Sequence, residues 1–76
     1  MSDIQNLIMR DIEDDPTITA KGITVEIQSK GFLKKTKTVH LVGSVNTEAE
    51  KKKAKQIAVH FAGDNYDVID DLTVKL

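Results

Sequence analysis

The residues of this chain best suited to chemistry at a surface lie between Lys30 and Lys37, in the run Lys30-Gly31-Phe32-Leu33-Lys34-Lys35-Thr36-Lys37. An apolar pair ringed by lysines is what shallow insertion into an anionic bilayer needs: buried apolar area, plus about 1 kcal/mol for each lysine near the surface. The same residues have a plainer reading, in which Phe32 or Leu33 folds back onto a sheet and the lysines guard a strand edge against aggregation. Both readings stand at this level.

The other chemistry-bearing residues fall into weaker patterns. Asp11, Glu13, Asp14 and Asp15, and then Asp64, Asp67, Asp70 and Asp71, lack the spacing, turn glycine and final glutamate of a calcium loop. They read as solvated ends of elements. His40 and His60 match no ligand pattern and read as surface or margin residues. Ser2, Ser29 and Ser44 sit in no catalytic motif, and without cysteine there is no thiolate nucleophile or ligand. Lys51, Lys52, Lys53 and Lys55 share a helix that opens with Glu48 and Glu50, and Glu48 to Lys52 has the favourable i, i+4 order, so a self-paired solvated face is expected. No Gly-x-x-Gly clamp or run of stacking aromatics suggests nucleic-acid binding, and a formal charge of −1 argues against a polyanion partner. The expectation is a chain with no catalytic residues, no metal, no cofactor and no nucleic-acid ligand.

The elements that must carry these residues follow from periodicity. Ser2 with Gln5 has capping-box spacing, and Ile4, Leu7, Ile8 and Ile12 form one helical stripe that Pro16 brings to an end. Ile23, Val25 and Ile27 alternate with polar residues as a half-buried strand. Val39, Leu41, Gly43 and Val45 repeat the pattern, and the pair reads as a hairpin whose ladder continues into the connection between them. Thr47 is a helix N-cap with Glu50 at the capping-box position, Ala54, Ile57, Ala58 and Phe61 make the inward stripe, and Gly63 is placed as the left-handed C-cap. Val68, Asp70, Leu72, Val74 and Leu76 form a last alternating strand. Gly43 inside a strand implies close approach of another backbone, here expected from the second helix. Leu41, Ile57, Phe61 and Leu72 are expected to be buried together.

At 76 residues, with 39% hydrophobic and 30% charged, the chain has room for a single domain spanning 1–76 with an aliphatic core. The order α-β-β-α-β predicts an α+β fold: a three-stranded mixed sheet with two helices packed on one face. No run is long and apolar enough to span a bilayer, and the N-terminal residues carry no export-signal pattern. The expected location is cytoplasmic for the sequence as it stands, or periplasmic if an export signal has been removed.

The chain resembles the BON domain (bacterial OsmY and nodulation domain) family over essentially its whole length. The match rests on Val39-His-Leu41-Val-Gly43-Ser-Val45, on Glu50 through Ala58 with Ala54 inward, and on Val68-Ile-Asp70-Asp-Leu72-Thr-Val74. The resemblance implies the same fold and a non-enzymatic binding or interaction module, acting on an anionic phospholipid surface or a protein partner. Lys30, Phe32, Leu33, Lys34, Lys35 and Lys37 are the candidate contacts; Gly43, Thr47, Ala54 and Gly63 are the candidate structural positions. An alternative implied by cytoplasmic relatives is binding of a small solute or ion. A third is a building block that self-associates through a strand edge.

Overall fold

The computed structural model describes residues 4–19, 22–30 and 36–75. Its elements run α1 (Ile4–Asp14), β1 (Thr24–Lys30), β2 (Thr36–Val45), α2 (Glu48–Ala62) and β3 (Tyr66–Val74). The strands form one sheet in the order β1-β2-β3. β1 pairs antiparallel with β2 from Thr24↔Val42 to Lys30↔Thr36. β2 pairs parallel with β3 from Lys37↔Tyr66 to Val45↔Val74, so α2 is the crossover that a parallel pair requires. Both helices cover one face of this mixed sheet, α1 against β1 and α2, and α2 against β2 and β3.

Period-two alternation sends Val25, Val39, Leu41, Val45 and Leu72 to the helix face, where they meet Ile4, Ile8 and Ile12 of α1 and Ala54, Ile57, Ala58 and Ala62 of α2. Ile18 and Ile23, from the segment joining α1 to β1, complete the core. Leu41, Ile57 and Leu72 are buried as their registers require, whereas Phe61 is only partly buried. The fully buried alanines, Ala54, Ala58 and Ala62, occupy the innermost line of α2, and Phe61 lies on the flank with its ring edge-on to His60 at 5.2 Å. Leu7 also departs from expectation, being 48% exposed. The buried line of α1 advances by four residues through Ile4, Ile8 and Ile12, and at 100° per residue Leu7 falls well to one side of it.

α2 is fixed at both ends. Thr47 has extended backbone and its hydroxyl accepts the Glu50 N–H at 3.1 Å. Gly63 ends the helix with its N–H donating to Val59 O at 3.0 Å; its φ of 56° is positive as expected for a glycine cap, but its ψ of −135° lies outside the left-handed helical region that the sequence suggests. The capping box is modified: the Glu50 carboxylate accepts the Asn46 N–H at 3.5 Å and the Thr19 hydroxyl at 2.9 Å. Asn46 Nδ2 in turn donates to Thr19 Oγ1 at 2.8 Å, which ties the chain leading into β1 to the start of α2. This ring of bonds satisfies a carboxylate that is almost wholly buried.

Gly43 has φ 131°, and a Cβ built there would lie 2.0 Å from Gly22 O and 3.1 Å from Ile23 Cα. The close backbone is therefore the segment entering β1, which crosses over β2 at this point, and not α2. No helix among the described residues is long and apolar enough to cross a membrane.

Candidate interaction surfaces

The antiparallel ladder runs on to Lys30↔Thr36, and residues 31–35 lie between these paired ends in the chain. Phe32, Leu33, Lys34 and Lys35, together with the turn at Gly31 and the cap expected at Ser2, lie outside the described residues, as does Leu76. Lys30 is placed by its backbone register alone. Lys37 is exposed at the base of the hairpin, and its Nζ stands 5.9 Å from the centroid of the Tyr66 ring. A cation over an aromatic face at an exposed site contributes about 0.5–1 kcal/mol. Tyr66 arrives there because β3 starts opposite Lys37 in the parallel register, a placement that no local pattern in the sequence announces.

The sheet face away from the helices is mostly polar, with Val42 and the exposed Ile69 among its residues, and has His40 near its centre. Its Nε2 lies 2.5 Å from Asp71 Oδ2 on β3, and its Nδ1 lies 3.5 Å from Gln28 Nε2 on β1. A neutral ring donating from Nε2 to Asp71 and accepting at Nδ1 from Gln28 satisfies both contacts. Glu26 Oε1 stands 3.8 Å from Nδ1, close enough to gain an ion pair when the ring is protonated. The sequence reading of His40 as an isolated margin residue thus misses a three-strand lock. The lock appears only once register sets Glu26 beside His40 and brings Asp71 across from β3. These bonds hold the imidazole in place between β1 and β3. No group of three or more His, Cys, Asp or Glu among the described residues converges to hold a metal ion. His60 is exposed, in keeping with its surface reading.

The two free edges of the sheet differ. On β3, the Asp70 carboxylate turns back to accept the Leu72 N–H at 3.1 Å. On β1, Gln5 of α1 donates its amide to Val25 O at 2.6 Å, a bond between the helix and sheet layers. Between Gln5, Met9 and Arg10 of α1 and Thr24-Val25 of β1 lies an open groove of about 480 Å³.

The turn after α1 is held by Asp15, whose Oδ1 accepts the Thr17 hydroxyl at 2.6 Å and the Thr17 N–H at 2.8 Å. Those two bonds, with a smaller contribution from Lys53, hold the Asp15 carboxyl below its ordinary value of 3.8 against the opposing effect of burial. Lys53 Nζ stands 3.9 Å from Asp15 Oδ2, a long surface pair that adds little to stability. Ala54 is fully buried, as its inward position requires.

The family model of the BON domain matches residues 2–75. No curated protein and no solved structure matches the sequence.

Proposed function

The chain belongs to the BON domain family, whose members are in general non-enzymatic binding modules, and on that premise we propose that it binds anionic phospholipid surfaces through the tip of the β1–β2 hairpin. The observation that carries this reading is the ladder running out to Lys30↔Thr36. Phe32, Leu33, Lys34 and Lys35 follow one another in the chain between that last pair, and Lys37 is exposed beside Tyr66. Two apolar side chains supply insertion, and Lys30, Lys34, Lys35 and Lys37 supply attraction to a negative surface.

Cosedimentation tests it. The protein is expected to pellet with vesicles containing phosphatidylglycerol, to ignore phosphatidylcholine vesicles, and to be released as salt shortens the Debye length to about 3 Å near 1 M. Replacing Phe32 and Leu33 by Ser reduces retention without unfolding the domain, and Lys34→Glu with Lys35→Glu reduces it further. If the wild type shows no retention at low salt, the membrane reading falls. A rise in melting temperature with a small solute or ion would then favour the alternative. If the Phe32/Leu33 variant unfolds, those side chains belong to the core and the tip is not a membrane anchor.

A further inference from the structure

Bonding alternates along an antiparallel strand, and the Gln5 bond to Val25 O shows which residues of β1 face away from β2. They are Val25, Ile27 and Ser29. Val25 O is already taken by α1. No hydrogen bond to the main chain of Ile27 or Ser29 outside the ladder is found among the described residues. The β3 edge is defended at a main-chain donor and by charge of one sign, whereas on β1 the side-chain bond takes only the Val25 acceptor. Asp70 occupies the Leu72 N–H, and Asp67 and Asp71 add negative charge to the same strand, which discourages self-pairing.

The geometry points to the β1 edge as a self-association surface whose occupant is the β1 strand of a second copy, paired antiparallel about a two-fold axis at Gln28. This register uses only the free residues: Ile27 of each copy pairs with Ser29 of the other, and each such pair exchanges two main-chain hydrogen bonds. The Val25 carbonyl keeps its bond to Gln5. Charge selects the second copy as occupant, because the register sets Glu26 opposite position 30, a lysine, at both ends of the contact. Gln28 meets Gln28 at the axis, where two amides can donate and accept reciprocally. The contact is isologous and closes as a dimer, joining two sheets into one continuous sheet with both helix layers on the same side. It shares only Lys30 with the membrane reading, and its test uses no lipid, so the two can fail separately.

Sedimentation equilibrium over a concentration series, without lipid, tests it. The wild type is expected to show a reversible monomer–dimer equilibrium; a strict monomer at about 1 mM would overturn the proposal. Glu26→Lys places like charges opposite each other twice and should weaken the dimer roughly tenfold or more. The combined Glu26→Lys, Lys30→Glu exchange restores opposite charges in this register and should recover the wild-type constant. Failure to recover refutes the register. Ser29→Pro removes an edge N–H that β2 does not use, so it should abolish the dimer while the melting profile of the monomer stays close to wild type. A dimer that survives Ser29→Pro is formed elsewhere, and the assignment is wrong.

Discussion

The two helices lie side by side on the same face of the sheet but hold their shape by different means. α2 carries its own instructions: a threonine N-cap, Glu48 and Glu50 in the first turn, His60 in the last, and a glycine C-cap. α1 has no acidic residue in its first turn and no basic residue in its last, and Asp11, Glu13 and Asp14 crowd the end where the helix dipole disfavours negative charge. What α1 has instead is a narrow line of isoleucines, of which Ile8 is completely buried. It stays helical because the core needs that line, and the lesson is that neighbouring helices in one small domain can depend on opposite balances of local and tertiary stabilisation.

The comparison can be broken most sharply at the core. Ile8→Ala should cost about 2–5 kcal/mol and, in a domain of this size, could unfold the protein at room temperature. Ile57→Ala in α2 should cost less than Ile8→Ala, because the capped helix keeps its own start and stop. Urea denaturation followed by circular dichroism checks the order, and equal losses would remove the distinction. Thr47→Ala comes next, at about 0.5–2 kcal/mol, by releasing the Glu50 N–H. Gly63→Ala should cost about 1 kcal/mol, since the position needs positive φ although nothing crowds it. An unchanged denaturation midpoint for either cap variant would show that α2 gains nothing from that cap.

The smallest effect concerns the end of α1. The Asp15 carboxyl is held below 3.8 by Thr17, so its contribution to stability is full above that value and fades as pH falls through the lower folded value. An NMR titration of Asp15 should therefore show a midpoint below 3.8, and Thr17→Val should raise it. A midpoint insensitive to Thr17 would remove the turn as its cause.

Much of this architecture is legible residue by residue. The caps at Thr47 and Gly63, the inward Ala54 and the order of elements all follow from local spacing. What is not legible depends on where distant segments pass. Gly43 announces that something comes close, but the neighbour is Gly22, brought there by a loop with no period of its own. His40 looks isolated because its partners Gln28 and Asp71 belong to two other strands. Lys37 reads as one more lysine of the tip until the parallel register sets Tyr66 beside it. Leu7 and Phe61 both fit a helical stripe in one dimension, and only the narrowness of the real contact leaves them at its margin. The interaction surfaces are therefore the part least visible in the sequence, since they depend on register more than on composition.

The crossing at Gly43 also governs how the sheet can go wrong. β2 is paired on both sides, antiparallel to β1 and parallel to β3, so a slip of one residue would turn Thr38, His40 and Val42 toward the core. A slip of two residues would preserve that alternation and is the more dangerous error. It would bring Leu41 or Val45 beneath the Gly22 carbonyl, where even a Cβ finds an atom 2.0 Å away. Within β2 only Gly43 lacks a Cβ. The glycine thus acts as a key in a lock, admitting one alignment of the hairpin and rejecting the near-misses that hydrophobic patterning alone would tolerate.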